Sequence, residues 1–196
     1  MSKSTVTVSR QTSETEITLS LDLSKGGEIS IETGVPFFEH MLEAMSFHGD
    51  FSLSLRAGGD IDVDFHHLIE DIGIVLGEAL AEHVENAGAV ARFGHSVIPM
   101  DEALSEVTID VSGRPFTLFK ADFPQQRIGA FDVSLIREFL HGLAGSGKMT
   151  LHAECRRGEN SHHMAESLFK ALGKALNQAY GPSRHSAAVQ STKGSL

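Results

Sequence analysis

Asp64-Phe65-His66-His67-Leu68-Ile69-Glu70 and Asn160-Ser161-His162-His163-Met164-Ala165-Glu166 are two copies of one motif, 96 residues apart (162 − 66). Superposed at that offset, positions 66–80 and 162–176 agree at seven of fifteen: both histidines, the glutamate, Leu76/Leu172, Gly77/Gly173, Ala79/Ala175 and Leu80/Leu176. Apolar residues recur at helical spacing after each copy, Ile72, Val75, Leu76 and Leu80 in the first and Leu168, Leu172 and Leu176 in the second. Each His-His-x-x-Glu therefore opens a helix, and the chain reads as a duplication.

Helix geometry assigns the chemistry. His66 and Glu70 are four residues apart and share a face, and an imidazole with a carboxylate at that spacing can hold a divalent metal ion. His67 lies about 100° round the helix, so it is a ligand for a different ion. His162, Glu166 and His163 repeat the arrangement. Two motifs supply six ligands, which suits two metals with three ligands each.

Outward from the motifs, the same order of elements occurs twice. Val6 and Val8, then Ile17, Leu19 and Leu21, alternate with polar residues and predict two antiparallel strands. A further strand is expected over 28–32, and a helix from Gly34-Val35-Pro36, with Pro36 in its first turn. Phe37, Phe38, Met41, Leu42 and Met45 form that helix's apolar side, and His40 lies within it. Alternation over 51–55 and 61–65 predicts a hairpin turning at Ala57-Gly58-Gly59-Asp60. In the second half, strands are expected over 96–100, 105–111 and 116–121, a helix over 132–143 and a strand over 149–155. The fold class is thus α+β: two similar fused halves, each a four-stranded sheet backed by helices, over residues 1–90 and 91–180, with a flexible tail over 181–196. Gly142-Leu143-Ala144-Gly145-Ser146-Gly147-Lys148 has the spacing of a phosphate-binding loop. Met149 follows where Ser or Thr is required, and a helix precedes where a strand belongs, so the segment reads as a helix C-terminus.

The totals bound the class of protein. A formal charge of −10 and a pI of about 5.5 argue against a nucleic-acid partner. Cys155 is the lone cysteine, which fits a reducing compartment. No secretory signal and no stretch of 18 or more apolar residues is visible, so a cytoplasmic location without membrane contact is expected.

Further stretches carry a resemblance: Arg10-x-Thr12-x-Glu14-Thr15, Gly34-Val35-Pro36-Phe37-Phe38-Glu39-His40-Met41-Leu42, Asp64-x-His66-His67-x-x-Glu70-Asp71, Pro99-Met100-Asp101-Glu102-Ala103-Leu104, Asp110-x-Ser112-Gly113-Arg114-Pro115, the second His-His-x-x-Glu, and Ser191-Thr192-Lys193-Gly194. In order and over nearly the whole length, the chain resembles the imidazoleglycerol-phosphate dehydratases of histidine biosynthesis. The resemblance implies dehydration of D-erythro-imidazoleglycerol phosphate to imidazole acetol phosphate. It implies two Mn²⁺ per active site, with other divalent ions possible, and a 24-subunit assembly built from trimers with sites at subunit interfaces. It implies His40, His66, His67, Glu70, His162, His163 and Glu166 as metal ligands. Glu14 is implied as acid/base, with Arg92, Asp101, Arg114, Lys170, Ser191 and Lys193 also on the substrate. Some family members place a histidine ligand in the helix before the Thr-Leu-His strand; this chain has Glu138 there, roughly opposite His40. A dimetal hydrolase using metal-bound hydroxide, or a metal-storage or structural cage protein, would use the paired motifs alone; the cage would leave Glu14, Arg114 and the Ser191-Thr192-Lys193 segment idle.

Overall fold

A computed structural model describes residues 5–24, 26–87 and 89–183. Ser191 and Lys193, with most of the expected tail, lie outside the described residues. The first half contains β1 (Thr5–Gln11), β2 (Thr15–Asp22), β3 (Ile29–Glu32), α1 (Pro36–Gly49), β4 (Ser52–Gly59) and α2 (His66–Ala87). The second contains β5 (Phe93–Met100), β6 (Ala103–Asp110), β7 (Phe116–Lys120), the short pair β8 (Arg127–Ile128) and β9 (Phe131–Asp132), α3 (Leu135–Ser146), β10 (Thr150–Arg157) and α4 (Ser161–Tyr180).

The two sheets have the same topology. Their strand orders are β1-β2-β4-β3 and β5-β6-β10-β7. In each, three strands run antiparallel and the last edge strand is parallel to its neighbour, β3 to β4 and β7 to β10. Alternation decides which face is inward: Ile17, Leu19 and Leu21 of β2, and Val107 and Ile109 of β6, are buried.

Helix packing crosses between the halves. α2 lies on the first sheet and α4 on the second, while α1 packs against α4 and α3 against α2. One buried core runs through all four helices and both sheets. Glycines permit the close helix contacts. A Cβ at Gly173 of α4 would stand 2.0 Å from the Met45 carbonyl oxygen of α1, and one at Gly77 of α2 would stand 2.5 Å from that of Leu143 in α3. These are the two glycines that the duplicated stretch repeats. Phe38, Phe139 and Phe169 meet where α1, α3 and α4 converge, with ring centroids 5.3 to 6.1 Å apart.

Three local expectations are corrected. Ala57, Gly58 and Gly59 are not a hairpin turn; they continue β4 and pair with Ile17, Glu16 and Thr15. The 61–65 stretch is not a strand either. The Asp60 N–H donates to the Glu14 carbonyl and the Val63 N–H to that of Asp60, which forms a turn with Val63 exposed. The apolar alternation there had no sheet face to serve. The helix expected from Asp132 begins at Leu135, because Arg127–Ile128 and Phe131–Asp132 pair as a two-stranded ribbon turning at Gly129, whose φ is +60°. The glycine-rich 142–148 segment forms the last turns of α3 and leads into β10.

Candidate metal centre

Each His-His pair sits at a capped helix start. The Asp64 Oδ1 accepts the His66 N–H at 2.8 Å, and the Asn160 Oδ1 accepts the His162 N–H at 2.9 Å. The two rings of each pair diverge, with interplanar angles of 87° for His66–His67 and 80° for His162–His163. The 100° step per residue therefore separates the paired side chains in space as well as in sequence.

On the second motif the first histidine and the glutamate meet, with His162 Nε2 at 3.3 Å from Glu166 Oε2. Because α1 packs on α4, His40 comes from the other half to stand with Nε2 at 3.5 Å from that oxygen. One ligand atom from each of His40, His162 and Glu166 lies within 4.8 Å of the others, the only such triplet among the described residues. Two imidazole nitrogens and a carboxylate are borderline ligands suited to a divalent ion. Ligand atoms about 2.1 Å from a shared ion stand roughly 3–4 Å apart, so the donor set and spacing fit a metal. The Phe37 ring meets the His162 ring edge-on at 5.3 Å and fixes its attitude. Glu166 is buried, which by itself raises its carboxyl pKa. The Lys170 ammonium at 2.7 Å from Oε1, with His40 and His162, outweighs that and brings the pKa below its ordinary value.

The first motif repeats the His–Glu pair more loosely and in the open, with His66 Nε2 3.7 Å from Glu70 Oε2. Glu138 of α3 is half-buried and makes no such triplet with His66 and Glu70.

The second histidine of each motif turns to carboxylates instead. His67 Nδ1 is 3.0 Å from Asp60 Oδ2 and 3.6 Å from Glu14 Oε2. His163 Nδ1 is 2.9 Å from Glu102 Oε2 and 3.8 Å from Asp101 Oδ2. The bond to Asp60 raises the His67 pKa, and that to Glu102 raises the pKa of His163. Glu102 is held down to about 2, first by His163 and then by the backbone N–H groups of Glu159 and Asn160. Asp60 and Glu102 were not among the expected site residues. Asp60 was read as part of a hairpin turn, and Glu102 stood in the Pro99–Leu104 stretch without a role of its own.

Glu14 rides on the turn between β1 and β2. The Thr12 hydroxyl accepts the Glu14 and Thr15 N–H groups, and Arg10 and Thr15 both bind Asp71, at 3.0 and 2.5 Å. The Arg10-x-Thr12-x-Glu14-Thr15 pattern is thus the framework of that turn. Arg92 pairs with Asp110 at 2.7 Å and lies over the Phe93 ring, Arg114 is exposed in the loop before β7, and Lys170 is the partner of Glu166. Asp101 occupies the two-residue hairpin turn between β5 and β6 with a φ of +48°.

Two fused halves with a shared βββαβα order, each with His-His-x-x-Glu opening its final helix, define a duplicated α+β protein with a candidate metal centre. The crystal structure of IGPD from Pyrococcus furiosus, in complex with (S)-C348, superposes with a TM-score of 0.84 at 39% identity, covering 96% of this chain and 100% of that one. The imidazoleglycerol-phosphate dehydratase of Staphylococcus aureus superposes with a TM-score of 0.83 at 36% identity, over 91% and 99% of the two chains. The chain belongs to the imidazoleglycerol-phosphate dehydratase family of histidine biosynthesis, whose sequence profile matches residues 33–176. Named members include those of Hydrogenovibrio crunogenus, 49% identical over 97% of this chain and 98% of the relative. The Acidithiobacillus ferrooxidans member is 46% identical over 96% of each chain.

Proposed function

We propose that the chain converts D-erythro-imidazoleglycerol phosphate to imidazole acetol phosphate and water at a centre for two Mn²⁺ ions. The observation that carries this reading is the preassembled His40, His162 and Glu166 triplet, an incomplete ligand shell that belongs to one chain. His66 and Glu70 begin the second shell. His67 and His163 turn away from both within the chain and complete shells across a subunit boundary in a 24-subunit assembly of trimers. Phe93, Phe116 and Leu118, exposed on the outer face of the second sheet, offer apolar surface for contacts between copies.

A bound divalent ion supplies Lewis acidity to an imidazole nitrogen of the substrate. The chain's own residues do the rest. Glu14, half-exposed beside His67, takes the proton from the carbon bearing the hydroxyl that is retained. The neighbouring hydroxyl leaves with a proton as water. The resulting enol returns to the ketone when a proton is delivered to the carbon beside the ring. Asp101, beside His163, is the counterpart carboxylate on the substrate. Arg92, Arg114, Lys170, Ser191 and Lys193 hold the phosphate, remote from the reacting carbons, so that its binding energy serves orientation.

Metal content, particle mass and imidazoleglycerol-phosphate turnover measured on one sample test this. Chelation is expected to abolish turnover and reduce the particle to a small oligomer by light scattering, with Mn²⁺ restoring both. Turnover and mass unchanged by chelation would remove the metal from the mechanism.

A further inference from the structure

The two halves hold their second histidines with residues from different places. Buried Ile17, Leu19 and Leu21 of β2 match Ser105, Val107 and Ile109 of β6, an offset of 88 (105 − 17). At that offset Glu14 matches Glu102 (102 − 14 = 88). Yet Glu102 is the close partner of its histidine, at 2.9 Å, while Glu14 stands off at 3.6 Å. In the first half Asp60, from the end of β4, has taken Nδ1 at 3.0 Å. The position matching Asp60 at the motif offset is Arg156 (60 + 96), which pairs with Glu106 on the sheet and offers no carboxylate to His163.

We infer that Asp60 and Glu102 are positioning residues, each accepting the Nδ1–H of its histidine so that Nε2 of His67 or His163 keeps a free lone pair in a fixed direction. A neutral imidazole carries one proton, so binding it at Nδ1 selects the tautomer that ligates through Nε2. Glu102 is tied down through its carboxylate and Asp60 through its backbone. The Glu102 Oε1 accepts the N–H groups of Glu159 and Asn160 at 3.1 and 2.9 Å, and the Asp60 backbone N–H donates to the Glu14 carbonyl at 3.1 Å. The Asp60 Oδ1 is buried with no hydrogen-bond partner among the described residues, and the bond from His67 to Oδ2 is the one side-chain hydrogen bond this carboxylate makes there. The arrangement also frees Glu14 and Asp101, the looser carboxylates, for proton exchange and substrate contact.

This inference rests on the proposed ligand role of His67 and His163, so the experiment separates the two. Mn²⁺ is titrated into the metal-stripped protein against a competing chelator, and the metal-free melting temperature is read alongside. Asp60→Ala and Glu102→Ala are expected to weaken Mn²⁺ about 10–100-fold. Asp60→Asn and Glu102→Gln keep an oxygen that accepts the Nδ1–H, and are expected to recover most of that loss. His67→Ala and His163→Ala serve as references. If they lose Mn²⁺ while the alanine variants at 60 and 102 bind like the parent, positioning is overturned and the ligand reading stands. If the histidine variants also bind like the parent, both fail. Equal loss in the alanine and amide variants, with a lowered metal-free melting temperature, would assign Asp60 and Glu102 a purely structural role and overturn the inference.

Discussion

The two helix pairs at the centre of the molecule share a scaffold and differ in chemistry. Phe38, Met41, Leu42 and Met45 of α1 match Ile136, Phe139, Leu140 and Leu143 of α3 at an offset of 98 (136 − 38), and all eight are buried. His40 and Glu138 occupy the same place in the two helices (138 − 40 = 98). Against α4, His40 completes a triplet with His162 and Glu166; against α2, Glu138 leaves His66 and Glu70 as a pair. The hairpin glutamates diverge likewise, Glu102 locked to its histidine and Glu14 displaced from it. Duplication fixed the packing, where every side chain must fit its neighbours. It left the exposed ends of the helices free to take different roles.

The sharpest way to break this comparison is at the matched glutamates. Glu14→Gln keeps the shape and removes the base. General acid–base catalysis contributes about 10²–10⁴-fold, or roughly 3–5 kcal/mol at about 1.36 kcal/mol per tenfold, so kcat is expected to fall by that factor with Mn²⁺ content unchanged. Glu102→Ala should instead act first on metal affinity. Single-turnover kinetics and metal analysis on both variants check this. A Glu14→Gln enzyme turning over near the parent rate would move the acid/base role elsewhere.

Next in size are the matched glycines. Gly173→Ala drives a methyl into the α1 backbone at Met45, and Gly77→Ala drives one toward Leu143 of α3. Neither carbonyl can rotate away as a side chain would, so each substitution is expected to cost about 1–3 kcal/mol, or about 2–4 °C in Tm per kcal/mol at this length. The two differ in reach. Gly173 spaces the helices that carry His40, His162 and Glu166, so its alanine variant should also weaken Mn²⁺; Gly77→Ala should spare that triplet. Thermal melts with and without Mn²⁺ distinguish them, and an equal Mn²⁺-induced shift in both would show that the triplet does not depend on the α1–α4 distance.

Much of this was legible because packing imposes period. The repeated motif, the alternation in β2 and β6 and the 3.6-residue spacing of α2 and α4 all report buried faces. The cross-packing of α1 on α4 was not legible, since nothing in the residues around His40 says which half it faces; only the resemblance suggested a ligand there. Ile61, Val63 and Phe65 misled because alternation without a neighbouring strand has no consequence. Asp60 escaped notice for the same reason. It sat inside the supposed hairpin turn, and its contact with His67 exists only once β4 runs on through Gly59.

The smallest effect lies at the helix starts. Asp64 and Asn160 each receive the backbone N–H of the first histidine of a motif, at 2.8 and 2.9 Å. Losing such a cap costs about 0.5–2 kcal/mol. The surroundings differ. The start of α4 is also held by Ser161, which exchanges hydrogen bonds with Gln125 at 2.8 to 2.9 Å through both backbone and side chain, and by Glu102 on the N–H groups of Glu159 and Asn160. α2 begins after an exposed turn in which Asp64 is the side chain that bonds to the helix backbone. Asp64 is also an acid at a helix N-terminus, where a negative charge adds about 0.3–1 kcal/mol. Asp64→Ala is therefore expected to fall at the upper end of the range and Asn160→Ala at the lower, read as urea midpoints of the metal-free protein with unchanged slopes. Asp64→Asn, which keeps the hydrogen bond and removes the charge, should fall between Asp64→Ala and the parent. If Asn160→Ala proved the more costly, the Ser161–Gln125 exchange would not be holding the second helix start, and the greater order of the second site would have to come from the α1–α4 contact alone.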